Sequence, residues 1–214
     1  METTGKTIAL EYQGRGLKLC NQRCRAWTHD YSYQGNGSTL SVAGCGIFSI
    51  VNASCWLTGV FQEPDELAQF SLDHGGRGDD GTDRPALLQA MMDTGLAREY
   101  GFSYRGDGLR NDLETLYAHL KAGNAALCNL RAGHIVALLD ARERDGIRQV
   151  LAADPYSEST DSRVADHVRE VVPGSKIISA IENKNGLTVG WQCSHALFWA
   201  DLDIVRDFNL LYRL

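Results

Sequence analysis

The 214-residue sequence predicts an α+β fold in which a central helix packs on an antiparallel sheet. The first observation is an apolar segment opened by Gly44-Cys45-Gly46 and closed by Gly59. The second is a run of amphipathic helical segments between Pro64 and Gly123. The third is the change after Gly123 to short β-rich runs punctuated by turn residues. One domain over residues 1–214 is the simplest division at this length.

Taken in order, Thr7–Tyr12 reads as a short strand, followed by a polar connection through Trp27 to the Gly35–Thr39 loop. This loop delivers Cys45 to the first turn of the central helix. Pro64-Asp65-Glu66-Leu67 starts a second helix, with proline in the first turn and acids at the positive end. That helix is expected to bury Leu67 and Phe70 and to stop near Gly75. Gly75 to Thr82 is expected to be a surface loop. Pro85 to Arg98 reads as a helix burying Leu87, Leu88, Met91 and Met92. Asn111-Asp112-Leu113-Glu114 resembles a capping box, opening a helix with Leu113, Leu116, Tyr117 and Leu120 on its apolar face. Residues 125–130, 134–139 and 147–153 read as strands, the last two joined by a tight Asp145-Gly146 turn. Residues 177–181 and 187–191 form a second expected hairpin around Asn183–Gly186. Phe198 to Leu214 is apolar enough to dock on the sheet.

A net charge of −6 without a basic stripe excludes a nucleic-acid partner. No apolar run is long enough to cross a bilayer, and Met1–Lys6 lacks the pattern of a secretory signal. The compartment is cytoplasmic if the chain is complete and extracellular if a signal has been removed. The six cysteines fit a reducing compartment better than a disulfide scaffold at this length. Neither Cys20-x-x-x-Cys24 with His29 nor Cys193-Ser194-His195 has the spacing of a zinc finger. Asp79, Asp80 and Asp83 do not have that of a calcium loop. No metal or cofactor is expected.

The chemistry lies elsewhere. Unpaired N–H groups and the positive end of the dipole at a helix start favour a thiolate, which makes Cys45 a candidate nucleophile. A thiol nucleophile needs a base, and the base needs a group that fixes its ring. His134 opens one strand and Asp154 follows the end of the next. Pairing those strands through Asp145-Gly146 makes His134 and Asp154 neighbours at one edge of the sheet. His29, His74, His119, His167 and His195 have no comparable hairpin partner, although His195 stands close to Cys193.

Gly44-Cys45-Gly46 heading an apolar helix, Gly133-His134-Ile135-Val136 on a strand, and Asp154-Pro155 after the next strand resemble the papain-like cysteine peptidases. The nearest branch is similar to the bacteriocin-processing (double-glycine leader) peptidases, over roughly Gln34 to Tyr156. The resemblance implies a papain-like fold, a peptide or protein substrate, Cys45 as nucleophile, His134 as base and Asp154 as orienting acid. It also implies an oxyanion site made by the Cys45 N–H and a preceding glutamine. Thr39 stands six positions before Cys45, so Gln34, the nearest preceding glutamine, takes that assignment. Ile47-Phe48 replaces the proline and threonine that many members carry after Gly-Cys-Gly. No ATP-binding or membrane portion accompanies the motifs, so leader export is not implied. The same triad also serves acyl transfer or glutamine deamidation, and a non-catalytic peptide-binding domain of the same fold remains a third reading. Gly75–Thr82 and Ser157–Arg163 are the expected walls of the groove.

Overall fold

The computed structural model describes residues 5–130, 133–156, 162–182 and 187–214. Strands β1 (Thr7–Tyr12) and β2 (Arg15–Cys20) form an antiparallel hairpin. Its two-residue turn, Gln13-Gly14, has φ of 51° and 72°, the backbone a tight hairpin turn demands. The sequence reading treated β2 as part of a polar connection. Its exposed Lys18 alternates with buried Leu17 and Leu19, which is the half-buried strand pattern.

A short helix α1 (Leu40–Ala43) runs into the central helix α2 (Cys45–Thr58), and Gly59 closes α2 in the left-handed conformation at φ 76°. Every residue from Gly46 to Leu57 is buried, so α2 has no solvent face. Two of its polar side chains bond inward. Ser49 donates to the Ile135 carbonyl at 3.0 Å, and Asn52 accepts the Cys20 N–H at 2.9 Å. Fully buried Ile47, Phe48 and Ile50 each contribute about 1.5–3 kcal/mol of apolar burial.

Helix α3 (Pro64–Asp73) buries Leu67 fully and Phe70 in part. The next segment departs from the expected surface loop. β3 (Arg77–Gly78) and β4 (Gly81–Thr82) pair as a miniature hairpin with Arg77 and Thr82 buried. Left-handed Gly95 then divides the expected 85–98 helix into α4 (Arg84–Thr94) and α5 (Leu96–Glu99). β5 (Phe102–Ser103) precedes α6 (Leu113–Lys121), whose N-cap Asp112 accepts the Thr115 N–H.

The sheet strands are β6 (Ala125–Leu130), β7 (Ile135–Arg144) and β8 (Ile147–Ala153). The Asp145-Gly146 turn between the last two is present, with φ of 54° and 73°. After α7 (Ser162–Ala165) come β9 (Val168–Val171) and the separate ribbon β10 (Lys176–Glu182) with β11 (Thr188–His195). The expected turn at 183–186 lies outside the described residues. The C-terminal stretch does more than dock on the sheet. It forms β12 (Leu197–Asp201) and β13 (Val205–Arg213), both of which are sheet strands.

The resulting seven-stranded order is β5-β13-β6-β7-β8-β12-β9, antiparallel in every pairing. Alternation along β6 and β7 serves two cores. Leu127, Ala137 and Leu139 face the α2 layer, while Ala126, Cys128, Val136 and Leu138 face Leu116 and Leu120 of α6. The fold is therefore α+β with a large antiparallel sheet and a buried helix on one face. Among the described residues no helix is long and apolar enough to cross a membrane.

Candidate active site

Cys45 is the first residue of α2 and is partly exposed, whereas the rest of that turn is buried. The Cβ positions of both flanking glycines are taken up by the protein itself. A Cβ on Gly44 would lie 2.4 Å from the Leu40 carbonyl oxygen, and one on Gly46 would lie 2.5 Å from the Thr82 Cβ. Both glycines therefore allow close internal packing that seats the first turn of α2 against α1 and β4.

Gly133, at φ 84°, turns the chain into β7 and leaves His134 at its mouth, with its carbonyl accepting the Leu130 N–H at 2.8 Å. Asp154 follows β8 and is anchored by its N–H to the Ala196 carbonyl at 2.8 Å. The β7–β8 pairing brings the two together as the hairpin argument requires. His134 Nε2 and Asp154 Oδ1 lie 2.8 Å apart, with His134 8% and Asp154 0% exposed. Nδ1 is then the ring nitrogen left for the thiol, and the Cys45 and His134 side chains lie close enough for each to shift the other's pKa.

The charges follow from this geometry. Burial pushes the Cys45 thiol up, but the His134 hydrogen bond and charge, with the N–H groups of Ile135 and Gly46, bring it below the ordinary thiol value. Burial pushes His134 down, but the Asp154 charge and hydrogen bond, with Cys45, raise it well above the usual imidazole range. Both shifts run in the same sense, favouring the thiolate and the imidazolium over the neutral pair relative to the free side chains.

Asp154 Oδ1 also accepts the Tyr156 N–H at 2.8 Å, and the Tyr156 ring lies 5.7 Å from that of His134. Cys45, His134 and Tyr156 line a cleft of about 380 Å³ together with Gln22, Asn36, Ser38, Arg77, Asp79, Asp80 and Gly81. The expected wall at Gly75–Thr82 is thus represented by Arg77 and the residues of the β3–β4 tip. Arg77 holds that tip by donating to the carbonyls of Tyr31, Gly78 and Gly81. The second expected wall, Ser157–Arg163, falls mostly outside the described residues.

Gln34 requires correction. It is exposed, has φ 50°, and is not among the residues lining the cleft. The glutamine that lines the cleft is Gln22, 1% exposed, with Nε2 donating to the carbonyls of Ser41 at 3.2 Å and Val42 at 3.4 Å. Its N–H also bonds the Pro155 carbonyl at 2.8 Å, so contacts distant in sequence bring it back to α1 and to the turn after Asp154. Proximity along the chain favoured Gln34. Only the identity of Gln22 as another glutamine before Cys45 signalled the alternative.

Three of the remaining histidines are placed elsewhere. His74 Nδ1 lies 2.9 Å from the Phe70 carbonyl, His119 sits on the carbonyls of Ala125 and Leu211, and His195 belongs to the β10–β11 ribbon. Among the described residues, His167, Asp201 and Asp203 are the group close enough to share a metal ion, with ligand atoms within 4.8 Å. Arg169 already pairs with Asp201 through two nitrogens, so that carboxylate is neutralised by a guanidinium. No protein-family profile, curated protein or solved structure matches the chain.

Proposed function

We propose that the protein is a thiol-dependent hydrolase of papain-like architecture, a cysteine peptidase that cleaves peptide bonds through an acyl-enzyme. The observation that carries this reading is the buried His134–Asp154 pair at 2.8 Å with Cys45 beside the same imidazole in one cleft. A helix start, a strand start and a strand end converge there on one accessible cleft. That combination matches the nucleophile, base and orienting group that acyl transfer to sulfur needs.

In this mechanism the Cys45 thiolate attacks the substrate carbonyl carbon, and the carbonyl π electrons move onto oxygen. The Cys45 N–H, one of the donors a helix start leaves unpaired, and Gln22 Nε2 stabilise that oxyanion. The longer Gln22 bond, 3.4 Å to Val42, is the one the oxyanion replaces. Imidazolium His134 gives its proton to the leaving amine as the C–N bond breaks. Neutral His134 then takes a proton from water, whose oxygen attacks the thioester and releases the acid and the thiolate. Asp154 stays ionised and holds the imidazole orientation throughout.

The test is a peptide-library digest read by mass spectrometry, with parent and Cys45→Ala proteins side by side. New peptide termini that disappear in Cys45→Ala support the reading. Released ammonia or a transferred acyl group without new termini would replace it with deamidation or acyl transfer. Turnover that survives in Cys45→Ala would overturn it.

A further inference from the structure

Arg23 spends its charge in an unusual way. Its Nε donates to the Tyr156 carbonyl at 2.8 Å, and its guanidinium carbon lies 4.1 Å from the centre of the Tyr156 ring. No carboxylate pairs with it among the described residues. One side chain therefore grips both the backbone and the ring of the same residue, a fit that a planar guanidinium allows and an ammonium does not.

Tyr156 in turn touches both members of the acid–base pair. Its N–H reaches Asp154 Oδ1 at 2.8 Å, and its ring is tilted 54° against the imidazole of His134. Gln22, next to Arg23, ties the same turn through the Pro155 carbonyl. Resting on the thiol-hydrolase reading, we propose that Arg23 is a positioning residue that acts through Tyr156. The Arg23 clamp keeps the Tyr156 ring over the His134–Asp154 pair and its N–H on the carboxylate.

The physical consequence is dielectric and geometric. With the clamp released, the turn after Asp154 loosens and water reaches the buried pair. The Asp154 charge then holds the imidazolium less firmly, because the same separation is worth less in a wetter surrounding. The thiolate–imidazolium pair gives way toward thiol and neutral imidazole. His134 faces Cys45, Asp154 and Tyr156, and the cleft also presents Arg77, Asp79 and Asp80. All of these remain in an Arg23 variant, so their contributions to a pH profile cancel in the comparison.

The experiment measures alkylation of Cys45 by iodoacetamide against pH in the full chain, with the Cys45 peptide quantified by mass spectrometry. Arg23→Ala and Arg23→Lys are both expected to move the acid-side midpoint up by about one pH unit, which is about tenfold slower labelling at acidic pH. With an accepted substrate, kcat falls and KM does not. An unchanged midpoint in both Arg23 variants overturns the proposal. So does a parent-like profile in Arg23→Lys beside a shifted Arg23→Ala, since charge rather than the clamp would then be at work. If Arg23→Ala does not fold, Arg23→Lys decides alone, because it keeps the stem and the charge. A parent protein that labels only in the ordinary thiol range removes the hydrolase reading itself, a result visible without any Arg23 variant.

Discussion

Gly46 approaches Thr82 so closely that a Cβ on it would stand 2.5 Å from the Thr82 Cβ. The first turn of α2 therefore rests directly on the Thr82 side chain of β4, and this contact sets the position of Cys45 relative to the cleft wall. Gly46→Ala is expected to destabilise the protein by about 1–3 kcal/mol through overpacking. It should also slow alkylation of Cys45. Gly16→Ala is the control, because nothing lies within 4 Å of the added Cβ and the backbone φ is ordinary. Its unfolding midpoint in denaturant should match the parent within about 0.5 kcal/mol.

The charge state of the site predicts different pH profiles for labelling and for turnover. The folded Cys45 pKa is lowered, so labelling persists below the ordinary thiol range and is lost as pH falls through that folded value. The folded His134 pKa is raised, so the imidazolium that the proposed mechanism uses to protonate the leaving group is lost only as pH rises through a value well above 6.5. Labelling should therefore be sigmoidal and kcat/KM bell-shaped. Stopped assays across the pH range check both curves. A labelling curve with an ordinary thiol midpoint contradicts the ion pair.

Asp154 can be tested by separating its charge from its hydrogen bond. Asp154→Asn retains an acceptor for His134 but loses the charge that raises the imidazole pKa, so the alkaline limb of kcat/KM should move down. Asp154→Ala leaves the Tyr156 N–H without its acceptor as well. It is expected to cost about 10²-fold or more in kcat/KM. The measurement is the pH profile of each variant, and the order parent, Asn, Ala is the expected ranking.

The two glutamines offer a direct contrast. Gln22→Ala should lower kcat by about 10²-fold with little change in KM, as expected when an oxyanion donor is removed. Gln34→Ala should leave both unchanged, since Gln34 is exposed and lines no part of the cleft. Equal losses in the two variants would count against the Gln22 assignment.

A fifth expectation concerns the scaffold. Arg84 is buried, pairs with Asp207 and donates to the Leu127 carbonyl at 3.0 Å, joining α4 to the sheet. Arg84→Ala removes that hydrogen bond and leaves Asp207 with Arg206 alone, with an expected loss of about 1–3 kcal/mol in denaturant unfolding.

The sequence carried the local elements well because their signals are local. Gly59 ends α2, Asp145-Gly146 makes its hairpin, and the register of that hairpin brings His134 to Asp154. What it did not carry depends on contacts between distant segments. Gln22 reaches the cleft only because its backbone is tied to Pro155 and its side chain to Ser41 and Val42. Arg77 and Thr82 are buried in a segment whose glycines and aspartates read as solvent-exposed, because the guanidinium finds three carbonyls there. The place of β12 and β13 within the sheet is likewise invisible to periodicity, which identifies an apolar strand without naming its neighbours.

The position of β13 between β5 and β6 has a consequence for biosynthesis. A chain emerging from the ribosome presents Cys45, His134 and Asp154 long before Val205–Arg213. Until that last stretch arrives, β6 keeps a bare edge and the pockets for Phe208, Leu210 and Leu211 stay empty. Assembly is thus ordered late by long-range pairing, which is slow. The thiol gains its finished platform only when the final strand slots in, so an interrupted translation product is an aggregation hazard before it is a working molecule.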